Sequence, residues 1–386
     1  MRSLPLNFAA LVAAVIAIHF AGPLPTNAQQ ENNTAGIRDV GHAAASNSGR
    51  GESWAVLMGP TKYSEAPVLE YCENDVLTIA DALIRSGDYD PKRIWFLGDG
   101  DTDFESGQFL GLKLPARENC KHSAEIGAIK DTLETVMAKT KPGDTLFIAF
   151  SGHGGLDDKQ ESYLVPLPGF HSPLKPDRAL QVQWLLQQLE DNTKCQASRK
   201  IVILDACHSG GALQFDIPQA TDSTRDREML GTDHQGDGTL LITSCSAEEK
   251  SLEYPHDDQI ILRQGIFSYF LAAALRGEAG ADLDRDGSVT AVEAFIYTRD
   301  NVQKFVKEKK GAKQSPQWKV LEGNANFKIA TVRERSSSTT ESGPDFSIQA
   351  FTPSSGGWWF DETPLLVPRL RLDLSRQPRT VVTQAH

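Results

Sequence analysis

Two stretches of this chain end in the same unusual way. LFIAFSGHGG (146–155) and ILDACHSGG (203–211) are apolar runs that stop at a small polar or acidic residue, a reactive side chain and glycines. A short apolar run bounded by such breakers reads as a buried strand. A core strand has no use for that ending. Glycines let backbone approach a bound molecule closely, and His153 and Cys207 are the residue types that carry nucleophilic chemistry.

The flanking pattern supplies a frame for the two ends. Strands are predicted at WAVLMG (54–59), RIWFLGDGD (93–101), 145–150, 200–204, TLLITSC (239–245) and NFKIA (326–330). Helical spacing of apolar residues occupies 73–87, 123–144, a segment near 179–191, 264–276 and 290–307. Strands alternating with helices indicate a mostly parallel sheet with helices on both faces. In such sheets functional residues gather just past the carboxyl ends of strands, which is where His153 and Cys207 fall.

The 386 residues carry a formal charge of −12, with 40% hydrophobic and 23% charged residues. A sizeable core is possible, and the acidity argues against a nucleic-acid surface. The N-terminus has one basic residue, Arg2, an apolar run from Phe8 to Phe20, and small residues up to Ala28. That is the pattern of an export signal cleaved after Ala28, giving a secreted or periplasmic protein with no membrane attachment. An uncleaved anchor is the alternative. Residues 29–52 are polar and aperiodic and read as a flexible linker, with a folded body over 53–331 and a low-complexity tail over 332–386. Five cysteines are too few and irregular for a disulfide scaffold, although Cys120 and Cys195 could pair after export.

A thiolate is a strong nucleophile once its proton is removed, and imidazole is the natural acceptor. His153 is the expected base for Cys207. His208 adjoins the cysteine, but adjacent side chains diverge. The N–H groups of Gly154 and Cys207 are the expected oxyanion donors. No second Cys/His pair sits at metal-ligand spacing.

The two reactive residues lie 54 positions apart, close to the histidine-to-cysteine interval of caspases. The local form D-x-C-H-S-G with F-S-G-H-G upstream resembles metacaspases and the bacterial caspase-like peptidases. The resemblance runs from about Trp54 to Ala330, and takes in Cys72, Asn74 and Asp75, TSCSAEEKSLE (243–253) and QGIFSYFLAAALRG (264–277). It implies a caspase-like three-layer α/β sandwich on a mostly parallel sheet of about six strands. It also implies a large region to about 212, a processing linker over about 213–238 and a small region over about 239–331. In that family the positions matching Cys72, Asp75, Ser151 and Asp205 line the pocket for the residue before the cleaved bond. Two carboxylates at a pocket base would hold a guanidinium, then an ammonium, and repel an acid. The expected partner is therefore a protein or peptide with Arg or Lys before the cleaved bond, with no organic cofactor. Arg225 and Arg227, in the polar linker, are candidate self-cleavage points. The alternatives are a legumain-like peptidase with another pocket preference and a caspase-fold scaffold without turnover.

A second motif stands apart. DLDRDGSVTAVE (282–293) fits the calcium loop D-x-D-x-D-G-x5-E. Asp282, Asp284 and Asp286 would supply side-chain oxygens, Ser288 a carbonyl and Glu293 a closing carboxylate, while Gly287 makes the turn. Calcium is thus a candidate ion. The Asp-rich calcium switch of many metacaspases, after the catalytic histidine, is not implied, because VPLPG (165–169) lacks the acid often found there.

Overall fold

The computed structural model describes residues 51–86, 88–105, 109, 111–120, 122–170, 174–206, 229–231, 236–246, 249–254, 263–278 and 280–332. The expected signal segment, all but the end of the polar linker, Cys207, His208, Arg225, Arg227 and the tail from 333 lie outside the described residues. Among the described residues no helix is long and apolar enough to cross a membrane.

The chain opens with β1 (Ser53–Met58), α1 (Cys72–Ser86), β2 (Ile94–Gly98), β3 (His122–Ser123) and α2 (Ile126–Met137). Next come β4 (Thr145–Gly152), β5 (Gly154–Leu156), β6 (Ser162–Leu164), β7 (Leu180–Gln181), α3 (Val182–Glu190) and β8 (Arg199–Ala206). The last part holds β9 (Gly238–Thr243), β10 (Glu253–Tyr254), β11 (Gln264–Gly265), α4 (Ile266–Leu275), β12 (Ser288–Thr290), α5 (Ala291–Lys310), β13 (Gln317–Gly323) and β14 (Lys328–Thr331).

One seven-stranded sheet, in the order β13-β9-β8-β4-β1-β2-β3, forms the middle layer. All its pairs are parallel except β13 with β9. Every residue of β4 is buried, as a parallel strand covered on both faces requires. The period of two then sorts side chains between layers. Ala55, Leu57, Phe147, Ala149, Ile201 and Ile203 pack with α1, α4 and α5. Val56, Met58, Ile148, Phe150, Val202 and Leu204 pack with α2 and α3. Helix α4 is apolar nearly all round and is buried along nine of its ten residues, as a helix covered on most sides must be. Helix α5 starts in a capping box, Thr290 with Glu293, and stops at Gly311 in the left-handed region (φ 57°).

The expected three-layer sandwich is present, with two corrections. The sheet has seven strands rather than about six: His122–Ser123 and QWKVLEG (317–323) join it, while the strand expected at 326–330 pairs instead with β12 in a separate two-stranded sheet. The 317–323 strand is an antiparallel edge whose residues are mostly half-exposed, so no apolar run announces it. Cys120 and Cys195 are both free. Cys195 is fully buried, with its Sγ 3.8 Å from Thr140 Oγ1, whereas Cys120 Sγ faces the carbonyls of Pro115 and Ala116.

Asp144 ties the entry to β1 to the entry to β4. Its carboxylate, 3% exposed, accepts from Glu52 N (2.7 Å), Trp54 Nε1 (3.1 Å) and Lys141 N (2.9 Å). Asp144→Ala strands these donors. Stability is expected to fall by about 2–3 kcal/mol, seen as a lower urea midpoint at unchanged slope.

Candidate active site

Strands β4 and β8 are neighbours in the middle of the sheet, and their ladder ends Ser151↔Asp205, Gly152↔Ala206. His153 and Cys207 are the next residue along each chain. The described parts of the two motifs therefore lie side by side up to the carboxyl end of one strand pair.

His153 is half-buried and held from two sides. Its Nε2 lies 2.6 Å from Pro67 O. A carbonyl only accepts, so Nε2 carries the hydrogen and Nδ1 of the neutral ring keeps its lone pair. Its backbone N–H donates to Tyr63 Oη (3.2 Å), and the Tyr63 hydroxyl donates to Val165 O (2.9 Å). The Tyr63 ring packs on the imidazole with centroids 4.7 Å apart. A Cβ at Gly152 would stand 2.6 Å from Tyr63 Oη, so this glycine answers a close approach rather than an unusual backbone angle. Val165 N donates to His153 O (2.9 Å). That makes Gly154↔Leu164 the non-hydrogen-bonded pair of the β5–β6 ladder, and turns the Gly154 N–H away from β6.

The expected pocket residues converge beside this histidine. Asp75 Oδ2 accepts from Ser151 Oγ (2.7 Å) and its Oδ1 from Gly265 N (2.7 Å). Asp75 lies in the first turn of α1, yet its carboxylate reaches across to β4 and β11 and does not cap its own helix. Asp205 accepts from the hydroxyls of Ser251 and Ser268. A Cβ on Gly265 would be 3.1 Å from Asp75 Oδ2 and 3.2 Å from Asp205 Oδ2, so the two carboxylates flank one glycine. Both are buried, at 2% and 5% exposure. Neither has a cationic partner among the described residues. Burial and then the charge of Asp205 push the Asp75 carboxyl well above its ordinary range, and burial pushes Asp205 up as well. Cys72 is buried alongside, and burial followed by the charge of Asp75 raises its thiol far above the usual range. A buried thiol held protonated in this way is a poor nucleophile.

Four residues of this region went unread in the sequence. Tyr63 and Pro67 lie on a loop with no motif, and Pro67 acts through its backbone. Gly265 looks like any helix-leading glycine. Glu253 pairs in register with Gly265, and its carboxyl is raised by burial first and then by the charge of Asp205. Its acid stands at the end of TSCSAEEKSLE, after two other glutamates, with nothing in the spacing to single it out.

The acidic turn at 282–293 is a separate place in the fold. Ligand atoms of Asp282, Asp284 and Glu293 lie within 4.8 Å of one another. Much of their capacity is already engaged by backbone. Glu293 Oε1 accepts from Leu283 N (2.8 Å) and Oε2 from Thr290 N (2.8 Å). Asp282 accepts from Asp286 N and Gly287 N, and Asp286 Oδ1 from Ser288 N and Ser288 Oγ. Arg285 and Gly287 take positive φ, 62° and 83°, which gives the turn its tightness.

A model of the caspase domain matches residues 52–327. The chain belongs to the caspase-domain family. Metacaspase-1 of Schizosaccharomyces pombe is 26% identical over 211 residues, covering 53% of this chain and 44% of the relative. Metacaspase-1 of Mycosarcoma maydis is 26% identical over 240 residues, covering 60% and 52%. The chain thus spans about half the length of the curated relatives it matches. A Geobacter sulfurreducens protein of solved structure aligns over 73% of the chain at 16% identity and a TM-score of 0.42.

The raised carboxyls carry a stability cost with a definite sign. A group with a folded pKa above its unfolded value binds its proton more tightly in the native state, so stability falls as pH rises from the ordinary carboxylate range through the raised one. Asp75→Asn keeps an acceptor oxygen for Gly265 N, can donate from its amide to Ser151 Oγ, and removes the charge. Thermal melting is expected to rise at neutral pH, with the gain over the parent shrinking toward pH 4. A gain that is constant with pH would show that charge is not its source.

Proposed function

We propose that this chain is an exported cysteine endopeptidase of metacaspase type that cleaves after Arg, and less well after Lys. The observation that carries the reading is the pair of buried carboxylates, Asp75 and Asp205, with no cationic partner among the described residues, beside a histidine whose Nδ1 is left as a base. A guanidinium entering between them would supply the missing positive charge and could donate to both in its planar fork. An aspartate side chain there would add a further negative charge to a buried acidic cluster.

In this reading His153 Nδ1 takes the Cys207 thiol proton, and the thiolate attacks the carbonyl carbon of the Arg residue. The N–H groups of Gly154 and Cys207 hold the oxyanion. The imidazolium, steadied through Nε2 by Pro67 O, returns its proton to the leaving amine. Water then attacks the thioester under the same base, releasing the acid and the thiol. Cys72 and Ser151 line the pocket, and Ser151 orients Asp75. Arg225 and Arg227 are the proposed self-cleavage points. The N-terminal run ending at Ala28 is the proposed export signal.

Calcium at the acidic turn is a second, separate proposal. Asp282, Asp284 and Glu293 would hold the ion, supported by Asp286 and Ser288, and it would brace the α4–α5 connection. The clustering of three ligand atoms favours it. A calcium-dependent rise in melting temperature, absent in Asp284→Asn, is expected. An identical melt with calcium and with chelator would mean that the backbone hydrogen bonds alone hold the turn.

The peptidase reading is tested on the chain from Gln29 and its Cys207→Ala variant, with matched fluorogenic peptides ending in Arg, Lys, Asp and Asn. Turnover is expected on Arg and Lys only, and none in the variant. Asp205→Asn is expected to lower kcat/KM on Arg peptides at least about thirtyfold, the loss of a buried charge partner. Gly265→Ala would place a Cβ against both carboxylates and is expected to lower the Arg-to-Lys ratio. Cleavage after Asp or Asn would overturn the pocket assignment, and silence on every peptide would favour a scaffold.

A further inference from the structure

The loop that supplies Pro67 runs from the end of β1 to the start of α1. Tyr63 anchors its first part through Val165 O. The N–H groups of Ser64 and Glu65 then donate to Pro168 O at 3.2 and 3.0 Å. The next tie is ionic. Arg178 Nη1 donates to Glu65 Oε2 at 2.8 Å, two residues before Pro67. Pro67 and Val68 themselves are exposed.

Arg178 lies just before the last strand of the small sheet that His153 leads into. It ends the short turn Pro176–Arg178, which runs into β7, and that sheet has the order β5-β6-β7 with β5 starting at Gly154. The pair therefore closes a ring. The ring runs from His153 through β5, β6 and β7 to Arg178, across to Glu65, along two residues to Pro67, and back through its carbonyl to the imidazole Nε2.

We propose that Glu65 and Arg178 are positioning residues for His153, fixing the Pro67 carbonyl against the base from the sheet that follows it. The inference rests on the peptidase reading for the role of His153. The two side chains are 44% and 31% exposed, so the pair is partly screened and its effect is modest. A coupling in that range corresponds to about a two- to fivefold change in rate.

The test uses Glu65→Gln, Arg178→Gln and the charge swap Glu65→Arg with Arg178→Glu. Each is measured for kcat and KM on an Arg peptide, and for the rate of iodoacetamide alkylation at Cys207 read by mass spectrometry. Both single variants are expected to lose about two- to fivefold in kcat and in alkylation rate, with KM unchanged and the melting temperature held. The swap is expected to recover most of the loss. High salt should lower the parent toward the single variants and leave them unmoved. A rise in KM at constant kcat would place the pair in substrate binding and overturn the proposal. A swap as impaired as the singles would overturn it too, as would single variants equal to the parent. The alkylation readout needs no turnover, so a parent that cleaves nothing would sink the peptidase reading without deciding this one.

Discussion

Two like charges share one buried corner of this molecule, and the rest of the site is arranged around that repulsion. Asp75 comes from the first turn of α1 and Asp205 from the end of β8, with Gly265 between them. Desolvation favours the protonated form of both acids, and the charge of Asp205 adds to it at Asp75. What holds them in place is a set of neutral donors: Ser151 and the Gly265 N–H on one, Ser251 and Ser268 on the other. Neutral donors stabilise a carboxylate without satisfying its charge. The corner is thus complete in its hydrogen bonds and uncompensated in its charge among the described residues, the feature on which the proposed preference for a cationic side chain rests.

That condition explains several local choices that would otherwise look arbitrary. Serine rather than alanine stands at 151 and 268 inside layers that are apolar elsewhere, because a buried carboxylate without donors is far more costly than a buried hydroxyl. Gly265 has an ordinary backbone, φ −61°, at the start of α4. It is glycine because two oxygens lie where its Cβ would press. Cys72 supplies a small apolar lining there. Each residue follows from the need to keep two acids dry, close and unpaired.

The frame and the ladder end that carries His153 were legible in the sequence because both rest on local signals. β4 and β8 are continuous apolar runs, and small and polar residues mark where those runs stop. Asp75, Ser151 and Asp205 were legible only through family resemblance, since nothing in the spacing of positions 75 and 205 says that they converge. Tyr63, Pro67, Glu253 and Gly265 were not legible at all. Pro67 contributes a carbonyl, which every residue has. Glu253 and Gly265 meet the site through a two-residue antiparallel pair, too short to leave a period. The edge strand at 317–323 was missed for the related reason that a half-exposed strand carries little apolar contrast.

The histidine and the acids also differ in how they are supported. The acids lie between the central sheet and the α1–α4 layer, where packing is continuous and rotamers have little freedom. The histidine sits at the rim, between a loop leaving β1 and a three-stranded sheet that stands off the main one. Its orientation is therefore set by a few hydrogen bonds and one ion pair rather than by a core. The two acids and the histidine are thus held by different parts of the fold. A change at the rim can move the imidazole without disturbing the acids, and a change in the packed layer can relieve the acids without moving the imidazole.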